Sequence, residues 1–141
     1  MSVPFTRADA VRWCGGRLAV EADPGQFIGV AIDARTIEPG QLFVAIRGER
    51  HDAHRFIDDA LHRGATGLLV EESWLSQNRP PAGKCTVAVD DTTKALGALA
   101  RGHRACFEGS VVAVPGSNGK TTTKELIHSI LSVSGPCLKN P

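Results

Sequence analysis

Val111-Val112-Ala113-Val114-Pro115-Gly116-Ser117-Asn118-Gly119-Lys120-Thr121-Thr122-Thr123-Lys124-Glu125 is an apolar run that breaks at a glycine-rich turn and resumes as a polar, then periodic segment. The pattern predicts a strand, a phosphate loop and a helix. Backbone N–H groups around the two glycines can curl about phosphate oxygens, and a helix beginning near Gly119 adds unpaired N–H groups and the positive end of its dipole. Lys120 would reach the outer phosphates, and the Thr121 hydroxyl is of the kind that ligates the magnesium accompanying a nucleoside triphosphate. The match is to G-x-x-G-K-T, because the longer phosphate-loop pattern asks for glycine where this chain has Val114. Context strengthens it: Leu126, Ile127, Ile130 and Leu131 follow at helical spacing. An ordinary strand-to-helix turn would have little use for Lys120 or for successive threonines, which are mediocre helix formers.

Around this stretch lies an unremarkable soluble composition of 141 residues, 42% hydrophobic and 22% charged, enough for one domain or two small ones. Sixteen basic and fifteen acidic residues leave a net charge of +1, so no global field invites nucleic acid or a membrane surface. Any anion must be held locally. Cys14, Cys85, Cys106 and Cys137 show no C-x-x-C spacing, which predicts reduced thiols, mostly buried, in a cytoplasmic protein. No apolar run approaches the roughly eighteen residues of a membrane span, and the N-terminus lacks a basic-then-apolar export signal.

Upstream, Thr6 predicts an N-cap for a helix to about Cys14, closed by Gly15-Gly16, with a short strand over 17–20. Phe27 to Ile32 and Leu42 to Ile46 read as strands, the second covered on both faces. A helix is expected over 55–63, with Phe56, Ile57, Ala60 and Leu61 on its apolar face, then a strand over 67–70. This order places the polar segment 47–54 at a strand's carboxyl end, where open α/β sheets bind ligands. From Glu71 to Lys84 the pattern dissolves into Pro-rich linker composition, and a domain boundary is expected near residue 84. Thr86 to Val89 is the next strand; Asp90-Asp91-Thr92 caps a helix carrying Leu96, Leu99, Ala100, His103 and Phe107 on one side. The last helix is expected to reach Ser134, with Cys137-Leu138 opening one more strand. Since a phosphate-loop domain needs several parallel strands and a second acidic metal ligand, a truncated fragment of a longer enzyme is expected.

Asp33-Ala34-Arg35, the run Pro39 to Ile57 with Arg47-Gly48-Glu49-Arg50-His51-Asp52-Ala53-His54 at its centre, Gly64-Ala65, and Gly116 to Glu125 together resemble the Mur ligase family, the ATP-dependent amide ligases of peptidoglycan precursor synthesis. The likeness spans about residues 27 to 134. It implies an α/β fold: a small N-terminal α/β domain over 1–84 binding the UDP-sugar substrate, then over 85–141 the incomplete opening of a P-loop, mostly parallel-sheet ATPase domain. It implies ATP and Mg2+ as cofactors, UDP-N-acetylmuramoyl-tripeptide and D-alanyl-D-alanine as substrates, and a cytoplasmic enzyme, monomeric at full length, with no nucleic-acid or membrane partner. Carried over by motif, Gly116, Ser117, Asn118, Gly119, Lys120, Thr121 and Thr122 bind ATP, with Lys120 catalytic on the transferring phosphoryl group and Thr121 the magnesium ligand. Asp33, Arg35, Gly48, Glu49, Arg50, Asp52 and His54 fall to the UDP-sugar. The family usually has Asp-[Ser/Thr]-Arg, so Ala34 removes a hydroxyl.

Plainer readings stand beside these. Asp33 and Arg35 can simply pair; His51, Asp52 and His54 lack the further ligand a metal site needs; Arg47, Arg50 and Arg55 are either solvated or the local cations a diphosphate requires. His103 and His128 read as structural. Two other functions compete: a family member that adds the third amino acid of the peptide, and a nucleotide-binding module without catalysis.

Overall fold

The computed structural model of the protein describes residues 4–49 and 51–140. The chain divides into two compact units, one ending at Phe107 and one beginning at Glu108.

In the first unit β1 (Phe5–Thr6) leads into α1 (Arg7–Cys14), then come β2 (Arg17–Val20), β3 (Gln26–Phe27), β4 (Gly29–Ala31) and β5 (Gln41–Val44). A 3-10 turn (Ala53–Phe56) runs into α2 (Ile57–His62), followed by β6 (Gly67–Glu71), α3 (Glu72–Leu75), β7 (Cys85–Val89) and α4 (Thr92–Ala105). The main sheet has the order β2-β7-β6-β5-β4; β4 to β7 are parallel and β2 closes one edge antiparallel to β7.

Side chains alternating across this sheet make two cores. Leu42 and Val44 of β5, Leu69 of β6, and Val87 and Val89 of β7 face α1 and α4, joining Ala10, Ala95 and Leu99. Phe43, Ala45, Leu68 and Val70 face the other way, against Ala34, Ile37, Ile57 and Ala60. Leu42 through Ala45 are wholly buried, as a strand covered on both faces requires. Thr92 sits between these layers, donating its hydroxyl to the Ala45 carbonyl at 2.9 Å.

Capping chemistry sets the helix starts. Thr6 and Asp9 form a reciprocal capping box on α1, and Gly15 ends it at φ 67°. Asp91 accepts from the Lys94 N–H at 2.9 Å to open α4. The run expected as one strand from Phe27 to Ile32 is split, because the Ile28 N–H turns aside to the Gly40 carbonyl at 3.0 Å. Phe27 then buries its ring over Gly67, where an added Cβ would lie 2.6 Å from the ring.

Several expectations are corrected. Cys85–Val89, expected to open a second domain after residue 84, pairs with both β6 and β2 inside the sheet. The Pro-rich segment before it is a surface crossover between parallel strands, a role that favours the same residues as a linker does. The supposedly patternless start of that segment holds α3. Phe56 and Phe107, placed on apolar helical faces by spacing, are exposed, and of the cysteines only Cys85 is buried.

The second unit contains one helix, α5 (Lys120–Leu131), with Gly119 as its N-cap at φ 74°. Val111 to Val114 and Cys137-Leu138 are not strands. A strand needs a neighbour for its N–H and C=O groups, and among the described residues of this unit none is extended alongside them. Glu125 and Lys139 form an ion pair, and Lys124 Nζ donates to the Asn140 carbonyl at 2.8 Å.

Candidate functional site

Because β4 to β7 run parallel, their carboxyl ends share one edge of the sheet, and the segments leaving them bring the charged residues of the first unit together there. From β4 comes Asp33-Ala34-Arg35. Asp33 Oδ1 accepts from the Arg35 backbone N–H at 2.9 Å and from its Nε at 3.0 Å, while Oδ2 accepts from Nη2 at 2.7 Å. The Arg35 guanidinium and N–H together hold the Asp33 carboxyl down to a pKa of about 2. Ala34, between them, is buried in the core with Ile37 and Phe43. The position where the family carries a hydroxyl is, in this chain, a packing position.

From β5 comes the segment 47–54. Arg50 lies outside the described residues. Gly48 N–H donates to the His51 carbonyl at 2.8 Å and Ala53 N–H to the Ile46 carbonyl at 2.9 Å, closing the loop on itself. Asp52 caps the 3-10 turn: its Oδ1 accepts from the His54 N–H at 3.0 Å and lies 2.6 Å from His54 Nδ1. His54 Nε2 accepts the Glu71 backbone N–H at 3.0 Å, so Nε2 carries a lone pair and the ring proton sits on Nδ1, toward Asp52. Trp74 stacks on the same ring with centroids 5.7 Å apart. Burial pushes the Asp52 carboxyl up, but the bonds from His54 and the Arg47 charge outweigh it and leave the pKa lowered.

Arg47 ties the arrangement together. Its Nε is 3.2 Å from Asp52 Oδ2 and its Nη1 is 3.1 Å from Glu71 Oε2. Both oxygens of Asp52 and both ring nitrogens of His54 are thus committed within the protein. These two residues, expected to touch substrate, are part of the loop's internal framework; Glu49 and Gly48 stand at the exposed turn. Glu71 and Trp74 were not legible as site residues, since a strand-end carboxylate and a short-helix tryptophan carry no motif. Only the apolar strand before Glu71 fixed its place at the edge.

Among the described residues no group of three or more His, Cys, Asp or Glu side chains is placed to hold a metal. In the second unit Gly116 (φ 136°) and Gly119 (φ 74°) take backbone conformations that favour glycine, bending the loop into the start of α5. Lys120 Nζ donates to the Ser117 carbonyl at 3.2 Å, across the mouth of that loop. The residues 116–123 are exposed, so the first-turn N–H groups and the Thr121 hydroxyl are open to a ligand. The donor set fits a magnesium-bound triphosphate: backbone N–H groups, one lysine and a hydroxyl.

The model of the Mur ligase family, catalytic domain, matches residues 26–104, ending before the loop at Gly116. The UDP-N-acetylmuramoyl-tripeptide--D-alanyl-D-alanine ligase of Bacillus subtilis is 42% identical over 103 residues, 73% of this chain and 22% of that protein. The UDP-N-acetylmuramoyl-L-alanyl-D-glutamate--2,6-diaminopimelate ligase of Syntrophomonas wolfei is 38% identical over 125 residues, 84% of this chain and 24% of that protein. Among solved structures, the UDP-N-acetylmuramoylalanyl-D-glutamyl-2,6-diaminopimelate--D-alanyl-D-alanyl ligase of Acinetobacter baumannii superposes with a TM-score of 0.80 at 32% identity, over 96% of this chain and 29% of that one. The MurF ligase of Thermotoga maritima in complex with ADP superposes with a TM-score of 0.61 at 33% identity, over 79% of this chain and 25% of that one. The chain therefore spans about a fifth to a quarter of the length of the curated relatives it matches.

Proposed function

The chain belongs to the Mur ligase family, and from that membership we propose that it serves an ATP-dependent amide ligase joining D-alanyl-D-alanine to UDP-N-acetylmuramoyl-tripeptide in peptidoglycan precursor synthesis. The observation that carries this reading is the 42% identity to a ligase of that name over most of the chain. The first unit holds the UDP-sugar end of the substrate at the carboxyl edge of its sheet, with Asp33, Arg35, Gly48, Glu49 and Arg50 as ligand residues and Asp52 and His54 behind them. The second unit holds ATP over Gly116 to Thr122.

In this scheme ATP supplies the γ-phosphoryl group that activates the tripeptide's terminal carboxylate, ADP leaving, and the dipeptide amine then displaces phosphate from the acyl phosphate. The chain's own residues position and neutralise. Lys120 gives up its internal bond to the Ser117 carbonyl and places its ammonium on the transferring phosphoryl oxygens; Thr121 offers its hydroxyl to Mg2+; the N–H groups opening α5 hold the remaining phosphate oxygens. The enzyme is proposed to act in the cytoplasm as a monomer, on small-molecule substrates; no helix among the described residues is long and apolar enough to cross a membrane. For the 141 residues alone we expect ligand binding without ligation.

A second reading, addition of the third amino acid, draws on the diaminopimelate-adding relative. Coupled phosphate release by the intact protein separates the two. Release with ATP, Mg2+ and UDP-N-acetylmuramoyl-tripeptide that requires D-alanyl-D-alanine and is lost in Lys120→Ala supports the proposal. Release that requires a single amino acid, on the substrate one residue shorter, replaces it with the second reading.

A further inference from the structure

The local charge a diphosphate needs makes Arg47 an obvious phosphate ligand on sequence grounds, yet its geometry is that of a clamp. The guanidinium is a rigid fork, and here its two arms are already used: Nε on Asp52 at 3.2 Å and Nη1 on Glu71 at 3.1 Å. Glu71 is the last residue of β6, and its side chain is mostly buried at 13% exposure. Asp52 caps the 3-10 turn that follows the loop and holds His54, which returns to β6 by accepting the Glu71 N–H. The ring is completed by the backbone: Arg47 and Asp52 form an isolated antiparallel bridge, and Gly48 and Ala53 bond to His51 and Ile46. A loop leaving one strand is thereby fastened to the end of the neighbouring strand at two points, one through Arg47 and one through His54.

We propose that Arg47 is a positioning residue, not a phosphate contact: by bridging Glu71 and Asp52 it fixes the turn after β5 in the shape that receives the nucleotide-sugar. This rests on the assignment of the UDP-sugar to that edge. A phosphate contact would serve only phosphorylated ligands, whereas a clamp serves every ligand that uses the loop, uridine included. A clamp also acts through its partner, so Glu71, which touches no ligand in this scheme, should matter as much as Arg47.

The test uses uridine and UDP as probes of the chain by titration calorimetry, with amide hydrogen exchange on the same samples. Arg47→Ala and Glu71→Gln, the latter keeping the backbone bond to His54, should each weaken both probes by the same factor, roughly five- to tenfold for loss of one charge-assisted bond. The double variant should be no worse than the more damaging single one. Exchange at the Gly48 and Ala53 amides should quicken in both variants, while circular dichroism shows the fold retained. UDP binding weakened with uridine untouched, and Glu71→Gln silent in binding and exchange, would overturn the clamp and make Arg47 a phosphate ligand. Failure of the unaltered chain to bind either probe would overturn the nucleotide-sugar reading itself, and the exchange rates still report separately whether Arg47 holds the loop.

Discussion

The Glu71 backbone N–H donates to His54 Nε2 at 3.0 Å, so a buried imidazole joins the end of β6 to the turn that follows β5. Both ring nitrogens are occupied and the ring is only 4% exposed. His54→Ala leaves the Glu71 N–H and one Asp52 oxygen without partners and opens a void under Trp74. The expected cost is about 2–3 kcal/mol, the range for stranding buried polar groups, and urea denaturation measures it. A cost within a few tenths of a kcal/mol would mean that water replaces the ring.

Two glycines of α4 give opposite predictions from one substitution. At Gly97 an added Cβ meets nothing within 4 Å, so Gly97→Ala should stabilise by about 0.5–1 kcal/mol through helix propensity alone. At Gly102 the same Cβ would lie 2.2 Å from the Trp13 ring, near its attachment rather than its tip. There the propensity gain is outweighed by roughly 1–3 kcal/mol of overpacking between α1 and α4. Thermal melts of the pair should move in opposite directions.

Asp33 titrates with its partner. Its pKa in the folded chain, about 2, lies below the usual carboxylate range because Arg35 favours the charged form. A depressed folded value means that the pair's contribution is fully present above the unfolded pKa, near 4, and is lost as pH falls from there through about 2. Carboxyl-carbon NMR should show Asp33 ionised at pH 3. In Arg35→Ala the midpoint should return to the ordinary carboxylate range.

Thiol reactivity should follow exposure. Cys106 is exposed, whereas Cys85 is buried in β7 and burial pushes its thiol pKa up. Alkylation in native buffer should modify Cys106 first and Cys85 only on unfolding.

Much of the first unit was legible because its signals are local. Thr6, Asp91 and Gly15 announce helix ends by their own hydrogen bonding, and the apolar runs of β5, β6 and β7 are long enough to mark strands covered on both faces. What failed depended on distant partners. Cys85–Val89 looked like the start of a new domain because Pro80-Pro81-Ala82-Gly83 suits a linker and a crossover equally, and only pairing with β2 and β6 decides between them. Val111 to Val114 has strand composition but no strand beside it among the described residues. The roles of Asp52 and His54 changed for the same reason: their motif placed them at the site, but Glu71, seventeen residues beyond His54, determines that the ring faces inward.

The central claim is that one chain carries two separate ligand sites, a UDP-sugar edge in the first unit and a phosphate loop in the second. Backbone amide NMR of the chain, titrated separately with UDP-N-acetylmuramic acid and with ATP and Mg2+, tests it most directly. The predicted result is that the sugar nucleotide shifts Asp33 to Arg35 and Gly48 to Ala53, while ATP shifts Gly116 to Thr122 and leaves the first set unchanged. Shifts from both ligands confined to Gly116 to Thr122, or no response of the sheet edge to the sugar nucleotide, would contradict it.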